Sequence, residues 1–232
     1  NVIQYAEDHG IKTNVYLEDW SNGMKNSKSY VTDMVQFLSE KNIDRILLPD
    51  TLGVLTPDLT REFIKEMVSN FPNIHFDFHA HNDYDLSVAN VIESIRHGCN
   101  GIHITVNGMG ERAGNAPLAS VVAVVNDFLN GYEIDINEKS LHKVSKLVSN
   151  FSGFRIPVNK PIVGDNVFTQ TAGIHADGDN KKNLYFNDLL PERFGRKRKY
   201  ALGKMSGKAN IKKNLDELGL TLSEKEIEKV TD

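Results

Sequence analysis

Cysteine is nearly absent from this 232-residue chain, with Cys99 standing alone. An internal disulfide framework is therefore excluded, and the usage suits a reducing compartment. Long apolar runs are missing too. The longest, Leu118-Ala-Ser-Val-Val-Ala-Val-Val125, falls far short of the roughly 18 residues a membrane span requires. No basic-then-apolar stretch opens the sequence, so a cytoplasmic location is expected. Charge of one sign is also lacking. The 27 basic and 31 acidic residues leave a net charge of -4, which gives no argument for nucleic acid as a partner. What remains is an ordered composition, 40% hydrophobic and 25% charged, long enough for one large domain or two small ones.

Two periodicities alternate along the first part of the chain. Lys12 to Glu18, Ile43 to Leu48, Ile74 to His79 and Gly101 to Val106 read as short strands rich in β-branched or aromatic residues. Between them Val31, Met34, Val35 and Leu38 recur at helical spacing, as do Phe63, Ile64, Met67 and Val68. Asp85 to His97 and Pro117 to Leu129 read as further helices, the second opened by a proline in its first turn. Strand starts separated by about 30 residues have the size of βαβ units, which predicts parallel strands with covering helices. Two architectures fit: a four-stranded doubly wound domain, or the second half of a (β/α)8 barrel, since a whole barrel needs roughly 250 residues. From about residue 133 the pattern changes to a small, mainly helical accessory region. Its basic cluster, Arg193 to Lys199, reads as a solvated or interface surface, because no aromatic stacking set interleaves it. Its last helix opens at a capping box, Ser223 with Glu226.

The loops after the strands carry the unusual residues, at the end where α/β folds bind ligands. In His79-Ala-His81 the two imidazoles share one face of an extended strand. Such a pair suits a transition metal, with Asn82 and Asp83 nearby, or it is two solvated loop histidines. His75 and Asp77 share that face. Asn107-Gly-Met-Gly-Glu-Arg-Ala-Gly-Asn115 is glycine-rich, but no acidic residue follows at the spacing a dinucleotide site needs. Tyr16 and Glu18 face the same way on the first strand, and Glu18 is either an acid/base group or a salt-bridge partner. His175 sits in a glycine-flanked turn, Cys99 reads as a packed small residue, and His9, His97, His103 and His142 take no role at this stage.

Five motifs occur in order: Leu48-Pro-Asp-Thr-Leu-Gly53, His79-Ala-His-Asn-Asp83, Asn107 to Asn115, Gly173-Ile-His-Ala-Asp-Gly178 and Leu202-Gly-Lys-Met-Ser-Gly207. Together they resemble the 2-isopropylmalate, citramalate and homocitrate synthase family of metal-dependent TIM-barrel acyltransferases, over essentially the whole chain. The resemblance implies strands five to eight of the barrel over residues 1–132 and a linking subdomain over 133–232. It implies His79, His81 and Asn115 as ligands to a divalent metal (Mn, Mg or Zn), and Thr51 as the residue that holds the keto-acid carboxylate. It further implies Glu18 and His175 as the catalytic pair, the histidine reaching a partner subunit's site in a homodimer. Asp177, Asn183, Leu184 and Tyr185 then line the acetyl-CoA site.

The sequence departs from that family in one large respect. Nothing matches the Arg-Asp pair of the family's first strand, which supplies a metal ligand and a keto-acid clamp, nor is there a counterpart of its regulatory domain. The expectation is an incomplete metal shell and no turnover by this chain alone. The stretch Asn14 to Trp20 looks most like citramalate synthase, and Tyr16 would occupy volume that a branched substrate needs. Pyruvate is thus the expected keto acid, with 2-oxoisovalerate as the alternative. A metal-dependent lyase or aldolase, or an inactive fragment, are further readings, and neither nucleic acid nor membrane is an expected partner.

Overall fold

The computed structural model describes residues 2–171, 187–203 and 206–231. Two compact units make up the chain, Asn1–Ile136 and Asn137–Asp232. In the first, α1 (Val2–Asp8) precedes β1 (Asn14–Tyr16), α2 (Trp20–Asn26) and α3 (Lys28–Ser39). Then follow β2 (Arg45–Asp50), α4 (Pro57–Asn70), β3 (Phe76–Ala80), α5 (Ser87–Arg96), β4 (Gly101–His103) and α6 (Leu118–Phe128). The helices arise where the spacing predicts them. Val31, Val35 and Leu38 form the buried stripe of α3, and Phe63, Ile64 and Met67 that of α4. Thr56 caps α4, its hydroxyl accepting from the Leu59 amide at 3.3 Å, and Pro57 takes the first helical position. Pro117, by contrast, is the cap of α6 rather than part of its first turn.

The four strands pair in parallel in the order β1-β2-β3-β4. Crossovers between neighbouring parallel strands are right-handed as a strong general rule, so an order that never reverses puts the crossover helices on the same side. A doubly wound domain requires a reversal, and that expectation is overturned. The core confirms the one-sided arrangement. Ile46, Leu48, Phe76, Phe78 and Ala80 turn from the sheet toward Trp20, Val35, Ile64, Met67, Val91, Val121 and Val125 in one cluster. Burying each large side chain of that set contributes about 1.5–3 kcal/mol.

The alternate residues, two apart along each strand, form the opposite face. Tyr16, Leu47, Asp77 and Gly101 lie in one lateral row, and Pro49, His79 and His103 in the next. That face gathers Tyr16, Asp77, His79 and His103 beside Leu47 and Pro49. It carries the candidate chemistry.

The second unit contains α7 (Leu141–Ser152), a two-stranded parallel sheet of β5 (Thr169–Gln170) and β6 (Lys199–Tyr200), α8 (Lys208–Glu217) and α9 (Glu224–Thr231). The expected capping box forms at α9. The Ser223 amide donates to Glu226 at 2.7 Å, and the Glu226 amide donates to Ser223 Oγ at 3.4 Å. The basic cluster is less solvated than expected. Arg193 is paired with Glu138, and Arg196 donates to the carbonyls of Ile162, Gly164 and Asp165. These two cations tie the unit together, and Lys197 and Lys199 are exposed.

Candidate metal and active site

His79 ends the inner row of β3, and His81 follows in the loop with its ring centroid 5.0 Å from that of His79. The glycine-rich loop delivers the third residue. Asn115 forms an antiparallel bridge with His81, the Asn82 amide donates to the Gly114 carbonyl at 2.9 Å, and the Ala116 amide donates to the Ala80 carbonyl at 3.2 Å. Gly114 makes this path possible. Its φ is +83°, and a side-chain carbon there would collide with the Gly108 carbonyl. The glycines of this segment thus shape a loop that carries Asn115 to the histidines.

At this site His79 Nδ1, His81 Nδ1 and Asn115 Oδ1 are buried and have no hydrogen-bond partner among the described residues, three of eight such side-chain atoms. Buried polar atoms without partners cost about 1–3 kcal/mol each, and native proteins keep few of them. Two imidazole nitrogens and an amide oxygen are donors that a divalent transition metal accepts. Among the described residues no three His, Cys, Asp or Glu side chains gather as a metal site. Burial, and then the nearby His81 and His103, push the His79 pKa down to about 4, against a smaller opposing pull from Glu18. The ring is therefore neutral at pH 7, as a metal ligand must be.

Thr51 and Glu18 stand around this set. Thr51 Oγ1 accepts from the Asp19 amide at 2.9 Å, which leaves its own proton to donate. The Thr51 carbonyl accepts from Arg112 at 2.7 Å, and Arg112 also grips Asp83 with two bonds at 2.8 and 3.0 Å. This clasp joins the loops that follow β2, β3 and β4, and it holds the Asp83 carboxyl below the usual carboxylate range. Glu18 is exposed and forms no ion pair among the described residues.

Sequence reasoning missed His103. In β4 it lies beside His79 in the sheet register. Its Nε2 is 3.2 Å from Asp77 Oδ2, and its Nδ1 is 2.9 Å from the Tyr16 hydroxyl. Asp77 is 1% exposed and also pairs with Arg45 and His75, each at 2.9 Å. Burial alone would raise its pKa, but the hydrogen bonds from Arg45, His103 and His75 outweigh this and hold it low. The signal was present as a polar residue two positions after Gly101, but only the register of β4 against β3 gives it meaning. Cys99 is packed, and burial pushes its thiol up to about 12. His175, Asp177, Asn183, Leu184 and Tyr185 lie outside the described residues. A cavity of about 280 Å³ runs along β1 against α2 and α3, from Val15 and Tyr16 to Met34 and Leu38, and includes none of His79, His81 and Asn115.

The HMGL-like family profile matches residues 1–148, and the profile described as homocitrate synthase post-HMGL domain-like matches residues 162–232. The chain is 40% identical over 228 residues to a homocitrate synthase of Sulfolobus acidocaldarius, covering 98% of this chain and 48% of that protein. It is 39% identical to a 2-isopropylmalate synthase of Sulfurisphaera tokodaii (98% and 58% covered) and 37% identical to an (R)-citramalate synthase of Methanocaldococcus jannaschii (98% and 45%). The chain thus spans about half the length of the curated relatives it matches. Among solved structures, an HMG-CoA lyase of Bacillus subtilis aligns with a TM-score of 0.61 at 18% identity, over 69% of this chain and 55% of that one. The lyase of Pseudomonas aeruginosa aligns at 0.53 and 20%, over 67% and 54%. At these identities the likeness is one of fold.

Proposed function

The chain belongs to the HMGL-like family with a homocitrate synthase post-HMGL domain, and from that premise we propose that it carries part of the catalytic centre of a synthase joining acetyl-CoA to an α-keto acid. The observation behind this reading is the trio of buried, unpartnered atoms on His79, His81 and Asn115. A divalent metal held there would polarise the keto acid's carbonyl as a Lewis acid. Thr51 donates its hydroxyl proton to the keto-acid carboxylate. Glu18 and His175 form the base that takes a proton from the acetyl methyl group, histidine being able to exchange protons near neutral pH. The methyl carbon then bonds to the keto carbon, and hydrolysis of the thioester releases CoA. Asp177, Asn183, Leu184 and Tyr185 approach the acetyl-CoA, in a homodimer whose subdomains cross to the neighbouring site.

The one-sided sheet fits strands five to eight of a barrel, with its polar face toward the barrel axis. On this reading residues 1–132 form a half-barrel and 133–232 the linking subdomain. Strands beyond these four complete the metal shell, and the chain by itself does not turn over. The favoured keto acid is pyruvate, giving citramalate, because the Tyr16 ring stands edge-on to His79 with centroids 6.5 Å apart and takes up space there. One or two methyl groups excluded by such a wall are worth about 1–3 kcal/mol each.

The test is CoA thiol release by the protein in a full-length context, with acetyl-CoA and divalent metal, comparing pyruvate with 2-oxoisovalerate. A strong preference for pyruvate supports the reading. Preference for 2-oxoisovalerate refutes the role given to Tyr16, and release without any keto-acid dependence refutes the condensation itself.

A further inference from the structure

Tyr16 is half exposed, at 50%, and a tyrosine on an open sheet face would ordinarily sample several rotamers. Here its hydroxyl is tied. It sits 2.9 Å from His103 Nδ1, and the His103 ring stands edge-on to it, centroids 5.9 Å apart. The other His103 nitrogen meets Asp77, whose two oxygens also take Arg45 and His75. An ionised carboxylate only accepts, so His103 Nε2 carries a proton toward Asp77. In the neutral ring Nδ1 is then the acceptor, and the Tyr16 hydroxyl donates to it. Asp77 itself has a built seat. Gly101 lies opposite it in the register, and a side-chain carbon on Gly101 would collide with Asp77 Oδ1.

We propose that His103 is a positioning residue: anchored on Asp77, it holds the Tyr16 ring as a fixed wall beside the histidine pair and so sets keto-acid selectivity without touching the substrate. The proposal rests on the reading of Tyr16 as the residue that excludes larger keto acids. A purely structural His103, serving only to neutralise Asp77, would affect stability and leave discrimination untouched.

Two measurements test it. In nitrogen-15 spectra of this chain, the ring shifts of His103 should show the Nε2–H tautomer with Nδ1 accepting a hydrogen bond. Tyr16→Phe should move the Nδ1 resonance to its unbonded position without changing the tautomer. A proton on Nδ1, or an Nδ1 resonance unmoved by Tyr16→Phe, overturns the proposal. In the full-length enzyme, His103→Ala should reduce the ratio of kcat/KM for pyruvate over 2-oxoisovalerate by about three- to tenfold, the range of one neutral hydrogen bond. Tyr16→Phe should act in the same direction, the double variant should add little to either single one, and His103→Gln, whose amide can both donate and accept, should restore most of the ratio. Equal loss for both substrates overturns the positioning role. If neither keto acid is consumed, the functional reading fails, and the spectra alone decide the hydrogen-bond chain.

Discussion

Asn115→Ala separates a ligand from a structural asparagine. The Asn115 amide group makes one long bond, from Nδ2 to the Met109 carbonyl at 3.3 Å, while Oδ1 is buried without a partner. Removing the side chain gives up about 0.5–1.5 kcal/mol for that bond and relieves about 1–3 kcal/mol of desolvation at the unsatisfied oxygen. The metal-free variant should therefore lie between about 0.5 kcal/mol less stable and about 2.5 kcal/mol more stable than the parent. Metal at a hundredfold excess over its Kd stabilises the parent by about 2.7 kcal/mol, which is about 5–10 °C in Tm for a chain of this size. Perturbing even an outer partner of a metal site costs 10–100-fold in affinity, so loss of a ligand should cost at least about 100-fold. At the same metal concentration the stabilisation then falls to about 0.4 kcal/mol, roughly 1 °C. Scanning calorimetry with manganese or zinc, against a chelator control, reads all four states. A metal-free variant weakened by more than about 2 kcal/mol, or one that keeps the parent's full metal-induced shift, would refute the argument.

Two further outcomes follow from the buried groups. Because His79 titrates near 4 in the folded chain and near 6.5 when unfolded, the unfolded state binds the extra proton between those values. Metal-free stability should therefore fall as pH drops from about 6.5 toward 4, by roughly 2 kcal/mol once solvent screening at a half-buried ring is allowed for. Denaturation at pH 7 and pH 4.5 should show that His79→Phe removes this part of the pH dependence, and an unchanged pH difference would contradict it. Asp77→Asn keeps the shape but leaves one acceptor for Arg45, His75 and His103. It should cost about 2–4 kcal/mol in urea denaturation, and a loss below about 0.5 kcal/mol would mean that the carboxylate does not organise the polar face.

Local features were legible in the sequence because their causes are local. The stripe Val31, Val35 and Leu38 predicts α3, and Ser223 with Glu226 predicts the start of α9, since both depend on contacts within a few residues. The His79 and His81 pair is likewise a consequence of strand alternation, and the ordered motifs named the family. Tertiary structure alone decided the rest. Strand order, which no short stretch encodes, placed the crossover helices on one side and ruled out the doubly wound sheet. The bridge between His81 and Asn115 brought a loop amide to two imidazoles far away in sequence. Register made His103 a neighbour of His79 and a link between Asp77 and Tyr16. Side-chain periodicity records which face a residue takes, but partners across a sheet are set by how separate strands align, and that alignment is a property of the whole packed unit.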